Sequence, residues 1–167
     1  LQGEATVDPE DFSFPHGTHL AAMEVDTETG QVTVRKYVAV DDVGVQVNPM
    51  IVEGQVHGGL AQGIAQALYE GAFYDEDGLP LNANLSTYLI PAAPDLPSFI
   101  TDRTETPSTT HPLGTKGVGE AGTIASTPAI INGVVDALRP LGVTDVAMPA
   151  TPMTVWKAIQ AAKGGQA

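Results

Sequence analysis

Gly114-Thr115-Lys116-Gly117-Val118-Gly119-Glu120-Ala121-Gly122 runs directly into an apolar stretch that ends near Leu138. Four glycines in nine positions mean that the backbone here needs positive φ or must approach something closely. Downstream, Ile130, Ile131, Val134, Val135 and Leu138 recur at the spacing of a half-buried helix. Glu120 therefore stands at or just before a helix N-terminus, where free N–H groups and the helix dipole favour an ionised carboxylate. A carboxylate held charged in a glycine loop suits a base and is poorly placed to act as an acid. An equally local reading makes Glu120 a helix cap and the glycines a turn, and pattern alone leaves both open.

Gly117-Val118-Gly119-Glu120-Ala121-Gly122 also spells G-x-G-x-x-G, the dinucleotide fingerprint. That fingerprint must follow a strand. Here it follows Thr106-Pro107-Ser108-Thr109-Thr110-His111-Pro112, a proline-bearing loop, and Glu120 would put negative charge where a pyrophosphate should lie. The dinucleotide reading is rejected.

Working outward, Asn48-Pro49 announces a second helix, with Asn48 as N-cap and Pro49 at the first helical position, reaching about Glu70. Val52, Val56, Leu60, Ile64 and Ala67 form its apolar stripe, while Gln55, Gly59, Gln62 and Gln66 share another face. Gly54, Gly58, Gly59 and Gly63 each cost such a helix about 1 kcal/mol relative to alanine, which is tolerated where backbones or ligands must come close. The glutamines read either as a solvated face or as primary amides addressing the edge of a heterocycle. His57 points away from Gln55 and is given no chemistry.

Residues 19–25 and 31–41 flank the turn Asp26-Thr27-Glu28-Thr29-Gly30 and predict a β-hairpin, with Val32, Val34, Lys36, Val38 and Val40 on one face. Short strands are expected at 72–74, 79–81, 85–90 and 98–103, and a final helix from Pro152 to Ala162 with Trp156 as a packing anchor. Residues 1–17 read as a loop. His16 and His19 are three apart but lack a third ligand nearby, so hydrogen bonding is expected of them rather than a metal. The fold class expected is α+β, antiparallel strands packed against two main helices.

A length of 167 residues suits one domain or part of a larger one. The opening Leu1-Gln2-Gly3 reads as part of a longer polypeptide. Twenty acidic against seven basic residues give a net charge of −13, which makes nucleic acid and anionic membrane poor partners. The absence of cysteine excludes disulfides, iron–sulfur ligation and thiolate chemistry within the chain. No apolar run approaches the roughly 20 residues of a membrane helix, so membrane insertion is not expected.

Taken in order, Glu53-Gly54-Gln55-Val56-His57-Gly58-Gly59, Tyr88-Leu89-Ile90-Pro91 and Lys116-Gly117-Val118-Gly119-Glu120 resemble the C-terminal end of the large, molybdopterin-binding subunit of molybdenum hydroxylases. That group includes xanthine dehydrogenase, aldehyde oxidoreductase and aerobic carbon monoxide dehydrogenase. The resemblance spans about residues 14–162 and implies that residues 1–167 are a C-terminal fragment of the molybdopterin-binding domain. It implies that Glu120 is the base that deprotonates a molybdenum-bound hydroxide as an aldehyde or heteroaromatic carbon is hydroxylated. It further implies that Gln55 contacts the pterin and that the backbone of Gly117, Val118 and Gly119 lies against the same cofactor, in the cytosine dinucleotide form usual in bacterial relatives. No metal ligand is implied among this chain's own residues.

The partners implied are a small-molecule substrate, the remainder of the large subunit, and iron–sulfur and FAD-bearing flavin subunits, in a cytoplasmic multisubunit enzyme. The cofactor loops facing the metal's oxo ligand and covering the substrate are absent, so the fragment alone is expected to be inactive. Copper-dependent carbon monoxide chemistry would need a cysteine from one of those loops. Ala121 and Gly122 follow Glu120 where the xanthine enzymes have two prolines, a hint of the aldehyde or carbon-monoxide-like branch. The reading from another class is a non-catalytic binding or scaffold module that retains only the fold.

Overall fold

The computed structural model describes residues 2–6, 8 and 11–164. Strands β1 (His16–Val25) and β2 (Val32–Asp42) form the expected antiparallel hairpin. Its turn is shaped by the Asp26 carboxylate, which accepts from the Glu28 N–H at 2.8 Å, and by Gly30 at φ +77°, a region that favours glycine.

The hairpin's inward face differs from the simple alternation. Ala22 pairs with Lys36 but Met23 pairs with Val34, so Arg35 is an extra residue on β2. Such a bulge reverses which side chains face inward. Val32 and Val34 turn inward before it, Tyr37 and Ala39 after it, and Lys36 is exposed. The single face expected for Val32 through Val40 is corrected by that one inserted residue.

Helix α1 (Pro49–Leu68) begins as expected, with the Asn48 side chain accepting from the Ile51 N–H at 3.3 Å and Pro49 opening the first turn. Its 20 residues carry the chain back along the sheet, so that β3 (Phe99–Thr104) joins β2 in parallel, from Tyr37 opposite Phe99 to Asp42 opposite Thr104. The α+β class holds. The expectation of antiparallel strands holds for β1 and β2 and is corrected for β3, because a helical crossover imposes a parallel return.

Between α1 and β3 the expected short strands are largely missing. Residues 72–74 and 79–81 meet in a single bridge, Tyr74 with Pro80. Residues 85–90 form no strand because Asn84 gathers them into a turn, its carbonyl accepting from the Thr87 and Tyr88 N–H groups. An isolated two-stranded ribbon is marginal without further strands to cover it.

Helix α2 (Ala121–Leu138) lies across α1 and the hairpin, and α3 (Pro152–Gly164) completes the core. Tyr37 and Ala39 from the sheet, Leu60 and Ile64 from α1, Ile130, Val134 and Leu138 from α2, and Val155 and Ile159 from α3 share one buried cluster. Trp156 is 40% exposed, so the anchor of α3 is the Val155/Ile159 pair one turn apart rather than the indole. Among the described residues no helix is long and apolar enough to cross a membrane.

Candidate functional site

The seam between α1 and α2 sets the position of Gln55 relative to Glu120. A Cβ on Gly59 would lie 2.9 Å from the Thr123 nitrogen, and one on Gly122 would lie 2.6 Å from the Val56 carbonyl oxygen and 3.0 Å from the Leu60 nitrogen. Those neighbours are backbone and cannot turn aside. Hydroxyls bridge the same seam: Thr123 donates to the Gly59 carbonyl at 3.0 Å and Thr127 to the Gly63 carbonyl at 3.1 Å. Thr127 also donates to the Gln66 amide oxygen at 3.2 Å, so Gln66 is engaged in helix pairing.

Because Gly59 must meet Gly122, Gln55, one turn earlier on the same edge of α1, comes opposite the residues just before α2. A Cβ on Gly119 would stand 3.9 Å from the Gln55 side-chain oxygen. The two segments singled out from the sequence are therefore brought together. Gln55, Gly117, Gly119 and Glu120 are all exposed, and Val118 is half-buried against the core. Among the described residues the Gln55 amide has no hydrogen-bond partner, and the N–H groups of Gly117, Val118 and Gly119 have no acceptor.

Glu120 occupies the N-cap position of α2 with φ −114° and ψ −5°, yet its side chain caps nothing. Of the two readings the sequence left open, the helix cap is not met: the backbone is already near-helical at Glu120 and the side chain makes no capping hydrogen bond.

The loop that delivers Glu120 is rooted by a buried charge pair that pattern did not reveal. The Lys116 ammonium donates to Asp42 Oδ1 at 3.1 Å, with 9% of the lysine side chain and none of the aspartate side chain exposed. Burial by itself pushes the Asp42 carboxyl up. Hydrogen bonds from the Gly44 N–H, from Thr106 and from Lys116 outweigh it and hold the group well below the usual carboxylate range. Nothing local marks Asp42 in the sequence. Lys116, at least, stood inside the motif that carried the resemblance.

The remaining candidates are accounted for structurally. His19 is buried between the Tyr37 hydroxyl, 3.0 Å from Nδ1, and Asp41, 3.2 Å from Nε2, and burial with the Asp41 charge pushes the Tyr37 hydroxyl well above its ordinary range. His57 packs at a tilt against Phe99, with ring centroids 5.7 Å apart. Among the described residues no three His, Asp or Glu side chains converge as a metal site. A groove of about 360 Å³ lies between α1 and the ends of β2 and β3, lined in part by Asp41, Glu53, Asp102 and Arg103. It includes neither Gln55 nor Glu120, both of which are exposed.

A profile of the molybdopterin cofactor-binding domain matches residues 1–97, more than half of the chain. The chain belongs to that family. It is 42% identical over 153 residues to the carbon monoxide dehydrogenase large chain of Hydrogenophaga pseudoflava, covering 92% of this chain and 19% of that one. To the nicotine 6-hydroxylase large subunit of Paenarthrobacter nicotinovorans it is 41% identical over 151 residues, covering 90% and 18%. Its fold superposes on a crystal structure of Cu,Mo-CO dehydrogenase with TM-score 0.91 and 38% identity, covering 94% of this chain and 20% of that one. Quinoline 2-oxidoreductase from Pseudomonas putida 86 gives TM-score 0.83 and 42% identity, covering 86% and 18%. This molybdopterin-binding chain thus spans about a fifth of the length of its relatives. The resemblance to molybdenum hydroxylase large subunits is borne out, as is the α+β fold.

Proposed function

We propose that this chain is the C-terminal part of a molybdopterin-dependent oxidoreductase subunit, presenting Gln55 to the pterin and Glu120 to the reacting centre. The full enzyme then hydroxylates an aldehyde or heteroaromatic carbon. One observation carries the reading: the unpartnered Gln55 amide stands opposite Gly119, next to the uncapped Glu120 carboxylate.

The residues present fit the group. A primary amide offers both donors and acceptors to a pterin edge, and three free N–H groups in a row suit its oxygen atoms. A Cβ on Gly117 would meet nothing in this chain, and the φ there is not positive, so this chain's own packing does not require that glycine. A ligand lying against the backbone would.

Bound there, the molybdenum–pterin group supplies the two-electron oxidation and the oxygen nucleophile. Gln55 orients the pterin, the Gly117–Gly119 backbone admits it closely, and Glu120 takes the proton from the attacking oxygen, which requires an approach within about 3 Å. The same reading includes the cytosine dinucleotide form of the pterin, iron–sulfur and flavin subunits, the rest of the large subunit and a cytoplasmic setting. Relatives named as a "large chain" and a "large subunit" support partner subunits. Those named for nicotine and quinoline support a heteroaromatic substrate.

The test is cofactor content and turnover of the full-length subunit. Gln55→Ala should lower pterin and molybdenum occupancy, and turnover should be found in a screen of aldehydes and nitrogen heterocycles. Full occupancy in that variant would refute the pterin assignment. A full-length protein that holds neither molybdenum nor pterin would favour the scaffold reading.

A further inference from the structure

We infer that Lys116, clamped on Asp42, is a positioning residue that fixes the loop carrying Glu120 opposite Gln55. The inference rests on the base role proposed for Glu120 and concerns residues to which that role assigned nothing.

Glu120 is held from both sides. Two residues after it, Gly122 is pressed against α1. Four residues before it, Lys116 is tied to the end of β2 by backbone and side chain together. The Lys116 N–H donates to the Val43 carbonyl at 2.8 Å, and the Val45 N–H donates to the Gly114 carbonyl at 3.0 Å. Gly44 and Gly114 both adopt positive φ, at +64° and +66°, which lets these segments pair through the Gly44–Thr115 bridge. Between the two anchors, Gly117, Val118 and Gly119 donate no backbone hydrogen bond among the described residues. Apart from the Val118 side chain, which packs against the core, and its carbonyl, which accepts from the Ala121 N–H at 3.2 Å, these residues take their course from their ends, and at the upstream end the Lys116 ammonium is paired with Asp42.

Asp42 is built to hold that ammonium. Its Oδ1 accepts from the Gly44 N–H at 3.0 Å as well as from Lys116, and its Oδ2 accepts from the Thr104 hydroxyl at 3.0 Å. His16 Nε2 stands 3.9 Å from Oδ2 at the exposed margin. The carboxylate thereby joins β2, β3 and the glycine loop at one point. A neutral side chain at position 116 would leave the loop without its grip and the carboxylate buried with fewer donors.

Two effects must be separated, loss of grip and an unpaired buried charge, and a double variant separates them. In the full-length subunit assembled with its partners, Lys116→Met should lower kcat about 100-fold with KM little changed, the scale expected when a catalytic group shifts by about 1 Å. Its Tm should also fall. Adding Asp42→Asn removes the unpaired charge and should restore Tm while kcat stays low.

Amide exchange at Val45 and Lys116 should be at least about 10-fold faster in both variants, the sign of weakened pairing in a local unit. A kcat that returns to wild type with Tm in the double variant, or unchanged exchange at those two amides, would overturn the inference. If Lys116→Met does not accumulate as folded subunit, the double variant decides alone: low kcat at wild-type Tm supports the clamp, wild-type kcat refutes it. Should Glu120→Gln prove fully active, the base reading falls, and the exchange rates still judge the clamp by themselves.

Discussion

Replacing Gly122 by alanine probes the contact on which the site's geometry depends. The new Cβ would start 2.6 Å from the Val56 carbonyl oxygen, 3.0 Å from the Leu60 nitrogen and 3.1 Å from the Gly59 Cα. Ordinary contact begins near 3.4 Å, so α1 and α2 must separate by about 0.8 Å at this point. All three obstructing atoms are backbone, and no rotamer change relieves them. Overpacking of this kind costs about 1–3 kcal/mol. The helix-propensity gain of about 1 kcal/mol expected for Gly→Ala applies to helix interiors, and Gly122 is the second residue of α2. Urea unfolding of the chain should therefore show Gly122→Ala less stable by about 1–3 kcal/mol. Gly58→Ala is the matched control: its Cβ would meet nothing, and it should be more stable by about 0.5–1 kcal/mol. Stability of Gly122→Ala equal to or above wild type would refute the close seam, and with it the placement of Gln55 opposite Gly119.

Acid should weaken the fold through Asp42. Its carboxyl lies below its ordinary value of 3.8 in the folded chain, so its contribution is complete above about pH 4 and is lost as pH falls from there towards the lower folded value. Stability measured against pH should lose that part of its acid slope in Asp42→Asn, and an unchanged slope would contradict the assignment. Tyr37→Phe removes the hydroxyl bonded to buried His19 and should cost about 1 kcal/mol in the same urea assay, whereas no change would mean that the bond contributes nothing net. Thr123→Val, which deletes the hydroxyl bond to the Gly59 carbonyl, should cost a similar amount of about 1 kcal/mol and lower the unfolding midpoint at constant m-value.

How far the sequence could be read depended on whether the deciding interaction was local. Asn48-Pro49 announces α1 because capping and fixed φ are properties of neighbouring residues, and the hairpin is legible for the same reason. The extra residue Arg35 was not legible, since a bulge is defined only by what lies on the opposite strand. The parallel return of β3 follows from where α1 packs and not from its own few residues. Gly54, Gly58, Gly59 and Gly63 look equivalent in the sequence, yet only the last two meet α2. Glu120 was correctly placed at the start of α2, but whether its side chain caps the helix depends on φ and ψ that no pattern encodes. Lys116 and Asp42 are 74 positions apart, and a buried charge pair at such separation leaves no periodic trace.

The most direct test of the central claim is turnover by Glu120→Gln in the intact enzyme, read alongside its molybdenum content. Loss of a positioned general base costs about 10²–10⁴-fold in rate, so kcat should fall by at least that range's lower bound while molybdenum remains near the wild-type level. A kcat close to wild type at full molybdenum loading would contradict the role given to this carboxylate.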